Sequence, residues 1–137
     1  MSNAKTWLEL AARCKAAIRP DREIDADFAL ALGMVPDGMQ RDGRRAFWFV
    51  QTASDDFDTF EAPYFTEDLS TITNFVDVSL PGWWWNVSSS RPVLGAPAMM
   101  GFGGNPYVTV TGATPALAMS QAVARAQALK HGAKANG

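Results

Sequence analysis

The sequence is poor in reactive and metal-binding side chains. Its one cysteine, Cys14, excludes an intramolecular disulfide and any zinc site built on several cysteines. Its one histidine, His131, excludes a pair of histidine ligands. No apolar run approaches the roughly 20 residues that span a bilayer. The start, Met1-Ser2-Asn3-Ala4-Lys5, lacks the apolar core of a secretory signal. No membrane association is therefore expected. Ser2-Asn3-Ala4 fits a cloning remnant and a native start equally well. Charge is absent in patches too. Residues 46–90 hold no Lys or Arg but seven acids, Asp55, Asp56, Asp58, Glu61, Glu67, Asp68 and Asp77. Residues 92–124 hold no charge at all, a 33-residue gap that implies burial, an interface or a loop.

What is present describes a folded chain. Of 137 residues, 47% are hydrophobic and 19% charged, which excludes intrinsic disorder. One domain over residues 1–132 with a disordered tail at 133–137 is expected. A domain of this size buries roughly 70% of its unfolded surface without metals or disulfides. The net charge of −2 argues against nucleic-acid binding, which needs a basic patch. The nearest candidates, Arg41, Arg44 and Arg45, and Arg13, Lys15, Arg19 and Arg22, read as solvated faces.

Periodicity predicts a helix over 7–18, capped by Thr6 with Glu9 three residues on, its apolar face built from Trp7, Leu10, Cys14, Ala17 and Ile18. Arg19-Pro20 stops it. A second helix is expected over 21–32, with Asp21, Glu23 and Asp25 at its positive end, Ile24, Phe28, Ala31 and Leu32 inside, and Gly33 after its end. Residues 45–52 read as a strand, with Met34-Val35 as a short partner, and 54–63 as an acidic connection. Thr66 looks like the N-cap of a third helix ending near Val76. A turn at Leu80-Pro81-Gly82 leads to a strand over 83–87. A Gly-, Pro- and Ser-rich loop is expected over 88–105, then a strand over 107–111. Thr114 caps the last helix, with Pro115 at its first position, and the helix runs to about His131. The class expected is α+β, a layered α/β/α sandwich of about four helices and a small, mostly antiparallel sheet of three to four strands.

Several landmarks occur in a characteristic order: Leu10-Ala11-Ala12-Arg13-Cys14, Pro20-Asp21-Arg22-Glu23-Ile24-Asp25, Ala29-Leu30-Ala31-Leu32-Gly33, Pro63-Tyr64 with Thr66, Leu80-Pro81-Gly82-Trp83, and Ala113-Thr114-Pro115-Ala116-Leu117-Ala118. In this order the chain resembles the small bacteriophage and prophage proteins of the phage ABA (α/β/α) sandwich domain family. The resemblance covers most of the chain outside about 36–61 and 88–105. It implies an α/β/α sandwich and a place in the cytoplasm of a host bacterium, and no particular reaction. The family often has Ser and Asp after the Thr of its middle helix, whereas Glu67-Asp68-Leu69-Ser70 follow Thr66 here.

No arrangement of side chains nominates a catalytic or metal-ligating residue, and no cofactor is expected. Gly101-Phe102-Gly103-Gly104 lacks the Lys-Ser/Thr and the following helix of a phosphate loop. Asp55, Asp56, Asp58 and Glu61 lack calcium-loop spacing and read as solvated. Cys14 reads as a buried, inert thiol and His131 as a helix-end residue. Trp83-Trp84-Trp85 places Trp83 and Trp85 on one strand face and Trp84 on the other, as core if both faces are covered, as an aromatic platform if one is open. Met99, Met100 and Phe102 form the candidate partner-binding set on an adaptable loop. The last helix is apolar all round, so a buried or oligomeric position is expected. The function expected is therefore that of a non-enzymatic phage accessory protein acting by contact with itself or a host protein. The alternative is a small-molecule binder or cryptic enzyme with a Trp-lined pocket at Trp84 beside the acidic segment.

Overall fold

The structure, a computed structural model, describes residues 3–89 and 94–133. Their order is α1 (Ala4–Ala16), α2 (Arg22–Ala31), β1 (Gln40–Arg41), β2 (Phe47–Ala53), β3 (Asp56–Glu61), α3 (Leu69–Ser79), β4 (Trp83–Val87), β5 (Ala96–Phe102), β6 (Asn105–Gly112) and α4 (Pro115–Lys130). The class is α+β. Its strands divide between two antiparallel sheets, β1-β2-β3 and β4-β5-β6, rather than sharing one. No helix among the described residues is long and apolar enough to cross a membrane.

Helix α4 lies between α1 and the second sheet, with α3 alongside. Thr114 accepts from the Leu117 N–H at 3.1 Å, and Pro115 sits in the first turn, where no N–H is needed. Twelve of its sixteen residues are buried. The chain itself therefore buries most of this helix. Its alanines let backbones approach closely. A Cβ on Gly112 would stand 2.7 Å from the Ala118 nitrogen and 2.9 Å from its Cα. Ala96 and Ala98 of β5 are buried in the same core.

Helix α1 starts earlier than its Thr6-Glu9 pattern predicts. Asn3 is the cap, its side chain accepting from the Thr6 N–H at 3.0 Å, because Asn caps as well as Thr and lies three residues upstream. Trp7, Leu10 and Cys14 are buried as expected, Ala11 joins them, and Ala17 is half-buried just past the helix end. Ile18 is not part of it: α1 has ended at Ala16, and Ile18 is 74% exposed. Asp21 caps α2, accepting from Glu23 N–H at 2.8 Å and Ile24 N–H at 3.3 Å. Gly33 follows its end at φ 72°.

Three other expectations are corrected. Gln40–Arg41, not Met34-Val35, pairs with β2. The acidic segment is strand β3, turned back on β2 at Ser54-Asp55, because Phe57 and Phe60 are set among its acids and pack their rings against Phe49 and Trp48 of β2. The Gly- and Met-rich loop contains β5, the middle strand of the second sheet. Ala133, placed by sequence in a frayed tail, packs against the core and donates its N–H to Ala128 O at 2.9 Å. The rest of that tail lies outside the described residues.

Two measurements follow. Gly112→Ala should destabilise the chain by roughly 1–3 kcal/mol in urea unfolding, since backbone rather than a flexible side chain must yield. Cys14 is fully buried, and burial pushes its thiol up to about 12, with neighbouring Arg13 pulling the other way. A disulfide reagent at mildly alkaline pH should label Cys14 only after denaturation.

Candidate functional site

Two regions concentrate chemistry that the fold alone does not require. The first is the second sheet. None of β4, β5 and β6 carries a charged residue. Val108, Val110, Ala98 and Met100 turn inward and are buried. Pro97, Thr109 and Thr111 alternate with them and are exposed, so no helix covers the opposite face.

Pairing places the three tryptophans. Trp83 faces Phe102, Trp84 faces Gly101 and Trp85 faces Met100. Trp83 and Trp85 therefore share the side of buried Met100. Helix α4 barely reaches β4, so neither is fully covered, and Trp85 is 41% exposed. Trp83 packs with Phe102 and Tyr107, ring centroids 6.1 and 5.8 Å away, and both of those rings are exposed. Trp84 lies on the outer face against Gly101, whose missing Cβ leaves room for the indole, and its Nε1 donates to Gly103 O at 2.9 Å. The run is thus half-buried to exposed rather than core.

The candidate contact residues separate. Phe102 is exposed and Met99 half-buried on the outer face. Met100 is withdrawn: it is fully buried, because β5 is a strand and its side chain alternates to the opposite side from Met99. The Trp84 and acidic-segment pocket does not assemble, since Trp84 belongs to one sheet and Asp55, Asp56, Asp58 and Glu61 to the hairpin of the other. Among the described residues, grooves of about 430 Å³ between α1 and α2 and about 620 Å³ where α2, α3 and α4 end lie away from Trp84, and one of about 390 Å³ is lined by Arg22, Asp42, Phe47 and Glu61. No group of three or more His, Cys, Asp or Glu side chains converges among the described residues.

The second region was not legible as a site. The Asp25 carboxylate is fully buried inside α2. Its Oδ1 accepts from the Thr66 N–H at 2.8 Å and the Thr66 hydroxyl at 2.9 Å, and its Oδ2 from Arg22 at 2.8 Å. Thr66 Oγ1 also accepts from the Asp21 N–H at 2.9 Å. Arg22 reaches on to Ala62 O at 2.7 Å and Pro63 O at 3.2 Å, and stacks on the Tyr64 ring at 3.7 Å. Thr66 is therefore not the cap of α3. Asp68 caps it, accepting from Ser70 N–H at 3.0 Å, while Thr66 is fully buried. A signal for this exists in the sequence: Asp25 stands between Ile24 and Ala26 and on the same helix side as Phe28 and Ala29, where a lone acid must be satisfied or expelled. Burial raises the Asp25 pKa above 3.8, and the hydrogen bonds from Thr66 and Arg22 oppose that shift without cancelling it. With every acceptor occupied and no exposure, the cluster joins α2 to residues 62–66 rather than presenting a reactive group.

Among the described residues, Arg13, Arg22, Arg41, Arg44 and Arg45 each have an acidic partner. Arg13 and Arg41 both reach Asp27, at 2.6 and 3.4 Å, and Arg44 reaches Glu23 at 3.0 Å. No family model, curated protein or solved structure matches the chain.

Removing one partner of the buried cluster leaves the others unpaired. Asp25→Ala should cost about 3–5 kcal/mol and Thr66→Val about 1–3 kcal/mol in chemical denaturation. A carboxyl with a raised folded-state pKa binds its proton more tightly in the folded chain. Its contribution is therefore largest in acid and falls as pH rises above 3.8. Unfolding free energies of the native chain and Asp25→Asn, compared across acidic pH, should show the native chain losing relative stability as pH rises through that window.

Proposed function

We propose that the chain is a non-enzymatic phage or prophage accessory protein that works by contact with another polypeptide, and that β4-β5-β6 presents the contact surface. The observation carrying this reading is the exposure of Trp85, Phe102 and Tyr107, 41%, 51% and 43%, on a sheet without charge. Large exposed aromatics in a charge-free setting are the side chains that dominate contact energies once desolvated. Each contributes through area removed from water, at roughly 25 cal/mol per Å². The ordered landmarks described in the sequence support the phage assignment. The paired arginines and the closed Asp25 cluster leave the contact role to the sheet.

The test is photo-crosslinking in cells. Benzoylphenylalanine in place of Phe102 or Met99 should give adducts with a second polypeptide. The same residue in place of Phe57, which is 55% exposed on the other sheet, should not. Adducts absent at positions 102 and 99, or equally abundant at 57, would remove the sheet from consideration.

A further inference from the structure

Among the described residues, the edge of β4 is open. In its sheet β4 neighbours β5 alone, so one side of its backbone faces away from the fold. Ser88 N–H donates inward to Pro97 O at 3.0 Å, which assigns the even positions 84, 86 and 88 to the β5 ladder and the odd positions to the outside. Trp83 N–H is occupied by Leu80 O at 3.1 Å. The outward N–H and C=O groups of Trp85 and Val87, and the C=O of Trp83, have no partner among the described residues. Soluble proteins usually blunt such an edge with Lys, Pro or a bulge. Edge strand β6 does so, with Pro106 and a register shift opposite Met100 and Gly101. Strand β4 reads Trp-Trp-Trp-Asn-Val, with none of these devices.

We propose that the polypeptide this edge takes is a second copy of the chain, paired antiparallel through β4 about a two-fold axis at Trp85, which makes one six-stranded sheet. This rests on the contact reading above and names its partner. The open groups fall on alternate residues centred on Trp85. A two-fold register therefore sets Trp85 opposite itself and Trp83 opposite Val87. Trp85 N–H donates to the other Trp85 C=O in both directions, and each Val87 N–H donates to the facing Trp83 C=O. The one blocked donor, Trp83 N–H, leaves only the Val87 C=O of the opposite copy to solvent. A two-fold interface brings every central residue against its own copy, so a charge there would repel itself. On β4 there is none. The two half-exposed Trp85 rings meet on the α4 face of the sheet, beyond the reach of that helix, as a cross-strand aromatic pair. An edge pair buries less than the roughly 800 Å² per partner of a standard interface, so the dimer is expected to be reversible.

Sedimentation equilibrium of the purified chain from micromolar to millimolar concentration should show mass rising from 14.8 kDa toward twice that value. Trp85→Lys and Trp85→Glu should each weaken association by roughly tenfold or more, and an equimolar mixture of the two should recover it as a heterodimer. Amide exchange in the unmodified chain gives an independent reading. The Trp85 and Val87 amides should exchange more slowly at millimolar than at micromolar concentration. A chain that stays monomeric throughout overturns the self-pairing, and Phe102 crosslinks to a different protein would then leave the contact reading standing. A dimer that survives Trp85→Lys, or amides indifferent to concentration, also overturns it. Loss of crosslinks together with a monomeric chain would overturn both.

Discussion

The buried carboxylate of Asp25 is the constraint on which the rest of the arrangement depends. An ion without exposure survives only where donors surround it. Here the donors come from Thr66 and Arg22, so α2 and residues 62–66 have one permitted relation. That relation carries Phe65 into the core between Phe28 and Phe75, with centroids 5.1 and 5.0 Å away. It also brings Phe65 O to Ser120 of α4, whose hydroxyl donates at 3.0 Å. One polar cluster thus sets the seat of the central helix and the starting point of α3.

The uncharged second sheet and the helix against it divide into two roles along one physical line. Where α4 lies against β5 and β6, small residues permit near-backbone contact, and the absence of charge is what a core requires. At β4 the helix runs out, yet the sequence remains apolar and aromatic. Satisfaction inside and exposure outside come from the same composition, and only coverage by α4 separates them. Arg13, Arg22, Arg41 and Arg44, by contrast, meet Asp27, Asp25 and Glu23 around α2 and the first sheet.

Features set by local chemistry could be read from the sequence. The start of α2 at Asp21, Gly33 after its end, the Leu80-Pro81-Gly82 turn, the Thr114-Pro115 start and the α+β class all stand, because local chemistry marks them, although Asp21 serves as the cap rather than as a first-turn acid. Features set by distant partners could not. Thr66 and Asp68 are both competent caps, and a carboxylate more than 40 positions upstream decided which of them was used. Composition hid β5: Gly, Pro and Met suggested a loop, although Gly103-Gly104 between two alternating runs is a hairpin signal. Of the candidate contact residues, Phe102 and Met99 remain accessible. Met100 was lost because strand alternation cannot be applied to a segment taken for a loop. The open edge of β4 was beyond reach, since sequence shows that a strand exists and not which of its sides is paired.

The join between Asp25 and Thr66 spans 41 residues, and the whole of the first sheet lies within that loop. Closing a loop is entropically costly, but the cost grows only with the logarithm of its length, about 0.6 kcal/mol for each doubling. The hairpin of β2 and β3 can therefore lengthen or shorten at Ser54-Asp55 while the join at its base hardly registers the change. The tip of the first sheet is in this sense free to vary in length, while its base, with Trp48 in the core, stays seated on the clasp.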